Sequence, residues 1–384
     1  MKTLLIDATA MTVNPKGVGK YAYEVTKRLD QVLPDCWHIM LVVFRGSQLP
    51  VNWSKRVTAL EIATQSDLKL GLYTMANLIV SHDADILLRM GDSSGKVYRI
   101  PTITVCHDIN SFIVKAQRSR LSIFRLPIDY SKEYFRILAL ESSAIVICNS
   151  TFTREEVVKN HRISFDKTAI GYCGIDEIFY RADRLKAIQR TKDTFGCEGY
   201  VLTFATGDPR ENYDTIPDVI AATKRLGQNV QYVIAGVDKN SQYFRVLEEK
   251  LLQHALVEGQ DYVFVPFLGT GRQQQLCDLY TAADYYLELS LHEGFGMQLA
   301  EAMACGTTCI GSDHSALPEV GGRFMLCTDQ EDPDGIAQMI TQGYQRNEHL
   351  KDHWDQVQYT HRFSWDDTAK VIAVHLMSLL ESQA

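Results

Sequence analysis

No stretch of this 384-residue chain approaches the roughly 20 consecutive apolar residues that span a bilayer, although hydrophobic residues make up 46% of it. A membrane-spanning protein is therefore not indicated. The opening "MKTLLIDATAMTVNPKG" carries a short apolar run that breaks at Asp7, and it reads as a first β-strand rather than a signal peptide, so cytoplasmic folding is the default expectation. Metal-ligand spacing is also missing. Nine cysteines, an odd number, are scattered along the chain, and the nearest pair, Cys305 and Cys309, brackets a helix stop and the next strand. Buried reduced thiols fit that pattern better than a disulfide framework or a zinc site. Short acidic pairs such as Asp83/Asp85 and Asp366/Asp367 sit where strands and helices end, which makes metal binding the weaker reading. A basic excess is absent as well, and a net charge of −8 argues against nucleic acid as a partner.

What is present is a regular alternation of short apolar runs and amphipathic stretches, which predicts an α/β architecture with parallel sheets. Strands are expected at "TLLID", "HIMLVVF", "DILLR", "TITVC", "AIVIC" and "TAIGY" in the first half, and at "YVLTFA", "QYVIA", "YVFVPF", "YYLEL", "TCIGS" and "RFMLC" in the second. Helices are expected between them, including 20–29, 153–160, 215–226, 244–254 and 273–283. At this length two domains are the prior, and the polar, strand-free region 174–199 is the best boundary. Two such sheets would place ligands at the carboxyl ends of their strands. Charge is uneven in one place. Residues 113–136 hold six basic side chains against two acidic ones, with aromatic and aliphatic residues between. Such a patch suits peripheral contact with the inner membrane face or a lipid-phosphate acceptor, and a solvated helix face equally well.

Two segments carry chemistry. "NPKGVGKYAYEV" follows the first strand but fails both familiar phosphate patterns. A Walker loop needs glycine where Asn14 stands and Ser or Thr where Tyr21 stands, and about ten residues separate the strand from the glycines, too many for a dinucleotide fingerprint. A glycine loop feeding a helix N-terminus remains. The second segment, "HEGFGMQLAEAMACGTTC", reads as loop, short helix and stop after a strand. Glu293 falls in the loop, Gly294 and Gly296 permit close backbone approach to a ligand, and Glu301 lies about one turn inside the helix. The amides at such a helix start favour an anion such as a diphosphate, and a glutamate one turn further on can accept hydrogen bonds from ribose hydroxyls.

These motifs, taken in order, resemble those of the retaining, nucleotide-sugar-dependent glycosyltransferases of family four, of GT-B fold. The resemblance spans nearly the whole chain. "GVGKYAYEV" is similar to the family's N-terminal glycine loop, "VCHDI" to its His-Asp step, "ICNSTFTREEV" and "GYCGID" to its last N-domain elements, and "HEGFGMQLAEAMACGTTCIGSDHSALPEVGG" to its Glu-x7-Glu region. "RFSWDDTA" resembles the closing helix that crosses back to the first domain. The resemblance implies two Rossmann-like domains: 1–174 for the acceptor, joined by the crossover helix 362–384, and 175–361 for the donor. It implies that His107, with Asp108 beside it, lies near the reacting sugar and that Glu293 contacts donor-sugar hydroxyls. Glu301 would hold the nucleotide ribose, Phe295, Gly296 and Met297 would cradle sugar and phosphate through their amides, and Gly19 would touch the diphosphate. The implied reaction moves a sugar from a nucleoside diphosphate-sugar to a saccharide or lipid-linked acceptor in polysaccharide biosynthesis, with retention and without a metal or resident cofactor. The Pro-Arg-x-Asn loop leans the donor towards GDP-mannose.

The chain departs from the family at one loop. In "FATGDPRENYDTI" Thr206 stands where some members carry an arginine and Glu211 where a lysine is expected. An anion beside a diphosphate costs more than a lost contact. Arg210 or Lys239 would then supply the charge. Failing that, the chain is a GT-B pseudoenzyme that senses a nucleotide or sugar, and a nucleotide-sugar epimerase of the same fold is a further alternative.

Overall fold

The computed structural model of the chain describes residues 2–11, 17–47, 49, 53–63, 69–91, 95–108, 126–181, 183–269, 271–350 and 353–381. The chain divides into two compact units, one comprising 1–112, 120–174 and 363–384, the other 113–119 and 175–362. Each is built on its own parallel sheet.

In the first unit the strands are β1 (Lys2–Asp7), β2 (Trp37–Phe44), β3 (Val57–Ile62), β4 (Ile86–Arg89), β5 (Thr102–Cys106), β6 (Ile145–Cys148) and β7 (Thr168–Ile170). Their order is β3-β2-β1-β4-β5-β6-β7, and each pairing is parallel. Helices cover both faces of such a sheet, so its central strands read as unbroken apolar runs. Leu4, Leu5 and Ile6 of β1 and Ile86, Leu87 and Leu88 of β4 are wholly buried accordingly. Strand β3 is the element missing from the sequence reading. It is an edge strand that buries only Ile62, so "VTALEI" never forms an apolar run.

The second unit holds β8 (Tyr200–Phe204), β9 (Gln231–Val237), β10 (Tyr262–Pro266), β11 (Tyr285–Glu288), β12 (Thr308–Ser312) and β13 (Met325–Thr328). They lie in the order β10-β9-β8-β11-β12-β13. In both sheets the chain runs outward one way and then returns to wind the other way. This leaves a switch point between β1 and β4 in one sheet and between β8 and β11 in the other, the place where loops diverge and ligands bind in open α/β sheets.

Local chemistry sets the helix ends. Ser150 caps the Thr151–Asn160 helix by accepting the Thr153 amide at 2.9 Å. Asp183 and Gly196, the latter left-handed at φ +72°, close the two ends of Arg184–Phe195. The first helix starts at Gly17, earlier than the sequence pattern suggested, and runs to Val32. The C-terminal helix Trp365–Glu381 belongs to the first unit. Trp365 meets the ring of Tyr21 edge-on at 5.5 Å, Thr368 donates to the Tyr172 carbonyl at 2.6 Å, and any side chain at Gly174 would collide with Trp365.

Candidate functional site

The ligand end of the second sheet is formed by the loops after β8 and β11, which flank the switch point. The backbone ties them together, since the Leu291 amide donates to the Arg210 carbonyl at 2.7 Å. The loop after β12 joins them: Ser315 Oγ accepts the Glu293 amide at 3.0 Å, and the Ala316 amide donates to the Glu293 carbonyl at 3.2 Å. Of the residues singled out in the sequence, Arg210, Glu293, Phe295, Gly296, Met297 and Glu301 all fall on these loops and the helix that follows. Gly296 begins the Met297–Ala304 helix at φ +94°, with no side-chain cap, and a Cβ there would come within 2.6 Å of Leu317. Only glycine meets both demands, and the helix amides it exposes are those that lack an intrahelical partner. Glu301 lies one turn inside, 6% exposed, and accepts a hydrogen bond from Tyr280 Oη at 3.2 Å.

The loop after β8 resolves the question of the misplaced anion. Glu211 folds back and accepts both the backbone amide of Thr206, at 2.6 Å, and its hydroxyl. It closes the 206–211 turn on itself and stands in for no lysine. Gly207 in that turn is left-handed at φ +90° and is covered by the Tyr243 ring, which a Cβ would meet at 2.2 Å. Arg210, one of the two candidate cations, lies on this loop and is ion-paired with Asp208 at 3.0 Å. Lys239, the other candidate, is engaged elsewhere, with Glu258 at 3.2 Å.

Beside Glu293 and Glu211 the structure places an acid that the motifs did not announce. Glu288, at the end of β11, is buried and accepts from the hydroxyls of Tyr286 and Ser290, the latter at 2.7 Å. Burial pushes the carboxyls of Glu288 and Glu211 up, and for Glu211 the charges of Glu288 and Asp208 add to it against the Thr206 hydrogen bonds. Glu293 is pushed up to about 8, first by burial, then by the charges of Glu288 and Glu211, with the Arg210 guanidinium pulling the other way. Neighbouring carboxylates disfavour one another's ionisation, which adds to the effect of burial. Sequence reasoning missed Glu288, Ser290 and Tyr280, because each sits in a run that reads as ordinary strand or helix core.

In the first unit, His107 follows β5 and is 8% exposed. Its Nε2 is 2.9 Å from the Met90 carbonyl, which requires a proton on Nε2 and leaves Nδ1 as the acceptor of the neutral ring. Tyr21 meets the imidazole edge-on at 4.9 Å and donates to the Gly171 carbonyl at 3.1 Å, which fixes one side of the ring. Gly19 lies two residues before Tyr21 on the same helix, buried. Asp108 is bound through its carbonyl to Arg136 at 2.9 Å. Arg136 itself is buried and ion-paired with Glu133, so this member of the basic segment is an interior strut and not part of a membrane-facing patch. Residues 113–125 of that segment lie outside the described residues, as do the side chains of 126–132. Among the described residues no helix is long and apolar enough to cross a membrane. A polar cavity of 430 Å³, lined by Lys224, Asn229, Gln231 and Asp261 among others, opens at the amino ends of β9 and β10, the opposite end of the sheet from Glu293.

Comparison with known proteins agrees with this geometry. A model of the glycosyltransferase family 4 matches residues 15–178, and one of the group 1 glycosyl transferases matches residues 187–358. The O-antigen chain mannosyltransferase B of Escherichia coli is 24% identical over 379 residues, covering 91% of this chain and 93% of its own length. The serotype-specific mannosyltransferase WbdA of Escherichia coli is 26% identical over 292 residues, 73% of this chain but 34% of the longer protein. Among solved structures, sucrose-phosphate synthase from Thermosynechococcus elongatus superposes with a TM-score of 0.77 at 17% identity, covering 100% of both chains. The Anabaena protein HepE, solved with UDP and glucose, superposes at 0.70 with 16% identity over 98% of this chain and 100% of its own. With one family model on each sheet and a shared two-sheet fold, the chain belongs to the group 1, family-4-like glycosyltransferases of GT-B architecture.

Proposed function

We propose that the chain is a retaining hexosyltransferase that moves a sugar, by preference mannose from GDP-mannose, to a saccharide or lipid-linked acceptor in polysaccharide biosynthesis. The observation that carries this reading is the convergence of Arg210, Glu293, the Gly296 helix start and Glu301 at the switch point of the second sheet. The mannose preference is supported by the mannosyltransferases among the relatives. In this reading unit 2 binds the donor and unit 1 the acceptor. Arg210, turning from Asp208, and the helix amides of Phe295, Gly296 and Met297 take the diphosphate, so its charge is met without a metal. Glu301 accepts from the ribose and Glu293 meets the sugar hydroxyls. His107, with Asp108 and Gly19, completes the residues assigned to the reaction. The departing diphosphate oxygen accepts the proton of the incoming acceptor hydroxyl on the same face, so no separate carboxylate base acts. The lipid-linked alternative, with peripheral contact at the inner membrane face, rests on the sequence of residues 113–136 alone.

The test is thermal stability of the purified protein against UDP, GDP, ADP and their sugar forms, for wild type and Glu301→Ala. A ligand at a hundred times its Kd adds roughly 2.7 kcal/mol. A shift with guanine nucleotides that disappears in the variant supports the reading, and NMR of the product's anomeric configuration then tests retention. No shift from any nucleotide would favour a second reading, in which Arg210 stays locked to Asp208 among the carboxylates and the chain is a GT-B protein without transferase activity.

A further inference from the structure

The Tyr280 side chain plays no part in the chemistry above, yet its hydroxyl ends on Glu301. It lies on the Gln273–Ala282 helix, has no exposed surface, and donates to Glu301 Oε2 at 3.2 Å. Its ring is held on several sides: edge-on to Tyr286 at 5.7 Å and to Phe179 at 5.9 Å, and tilted against Phe204 at 5.9 Å. The backbone around it is pinned as well. Thr307 Oγ1 donates to the Tyr280 carbonyl at 2.6 Å and Tyr200 Oη to the preceding Leu279 carbonyl at 2.8 Å. The phenol oxygen is therefore at a fixed point and can meet Glu301 in one orientation.

A carboxylate accepts about four hydrogen bonds in its plane. A donor that fixes one oxygen fixes the plane, and with it the directions from which other donors can approach. A flexible glutamate would have to be ordered by its ligand, at a cost in affinity that a preorganised one avoids. Tyr280 is suited to this task because burial, and then the charge of Glu301, push its hydroxyl well above its usual range, so it remains a donor. It is also neutral, so it orients the carboxylate without forming an ion pair with it.

We infer that Tyr280 is a positioning residue for nucleotide recognition, holding Glu301 in the orientation that accepts from the ribose hydroxyls and so setting the discrimination between ribose and deoxyribose. This rests on the reading in which Glu301 meets the ribose. The experiment measures Kd by calorimetry for GDP, UDP and ADP and for their 2′,3′-dideoxy forms, on wild type, Tyr280→Phe and Glu301→Gln. Wild type is expected to favour the ribonucleotide by about tenfold to a hundredfold, the worth of hydrogen bonds to a charged group. Tyr280→Phe keeps the ring and is expected to reduce that ratio to within about threefold, with the dideoxy affinity changed by less than about twofold. A merely structural loss would weaken both ligands alike and leave the ratio unchanged, which overturns the inference. Glu301→Gln separates the two levels. If it leaves the ratio intact, or if no nucleotide binds wild type, the ribose reading itself fails and the inference with it. If it collapses the ratio while Tyr280→Phe does not, only the role of Tyr280 is lost. Tyr280→4-aminophenylalanine keeps a donor at the same place and is expected to retain the wild-type ratio. Should Tyr280→Phe not fold, collapse of the ratio in this donor-bearing variant overturns the inference.

Discussion

The ligand ends of the two sheets are furnished in opposite ways. In the first unit the contacts run through main-chain carbonyls: His107 Nε2 donates to that of Met90, and the carbonyl of Asp108 accepts from Arg136. In the second, Asp208 and Glu293 share the Arg210 guanidinium, and Glu288 and Glu211 lie close enough to add their charge to that of Glu293. A carbonyl acceptor adds no charge to its surroundings, whereas neighbouring acids carry an electrostatic cost that a proton or a rearranged cation relieves. The comparison teaches that the second unit is where charge must move when an anionic ligand arrives, and the first is where geometry is merely kept.

Removing the cation should break this contrast most. Arg210→Ala is expected to lower kcat/KM for transfer by about 10²–10³-fold, as for loss of a charge-stabilising donor. Initial rates over donor concentration would show it, and a change under threefold would mean that another group meets the diphosphate. Next in size is Glu211→Lys, which restores the cation expected at that position. Because Glu211 accepts the Thr206 amide and hydroxyl, the variant is expected to lose roughly 1–3 kcal/mol of stability and to gain no donor affinity. A urea midpoint at or above wild type would show that the 206–211 turn does not depend on the acid. On the quieter side, His107→Ala is expected to cost roughly tenfold in kcat, the worth of one or two neutral hydrogen bonds, with the melting temperature little changed. A loss as large as that of Arg210→Ala would erase the distinction between the units.

A pH profile sharpens the electrostatic half of the comparison. Folded Glu293 keeps its proton up to about 8, whereas the unfolded chain releases it near 4.5. Between these values the folded state binds more protons, so stability falls as pH rises through that window. Glu293→Gln removes this dependence. The variant should therefore gain on wild type in melting temperature from pH 5 to pH 8, with the difference levelling above pH 8. A gap that does not vary with pH would place the proton elsewhere in the cluster.

Much of the fold was legible because parallel strands buried on both faces are largely apolar, with threonine the commonest polar residue, as in β5 and β8. The exceptions have physical causes. Strand β3 lies at an edge and has little to bury, and the first helix begins on glycines that carry no helical preference of their own. In the candidate site the glycines and glutamates of the 292–309 stretch could be read from spacing alone. Glu288 could not, because in "YYLELS" it alternates as a solvent-facing strand residue would, and only its burial under Tyr286 and Ser290 reveals an interior acid. The hydrogen bonds of Glu211 to Thr206 were not legible, since sequence shows a charge but not the partner it meets.

By itself the sequence determined the two α/β series, the change from one to the other near residue 174, and the glycine-marked helix start beside its glutamates. These follow from local rules of periodicity, backbone freedom and helix polarity. Only the tertiary structure decided which acids gather around Arg210, that Glu211 closes a turn, and that Tyr280 aims Glu301. Those outcomes depend on desolvation and on interactions between distant segments, such as Arg210 with Glu293, which no local pattern encodes.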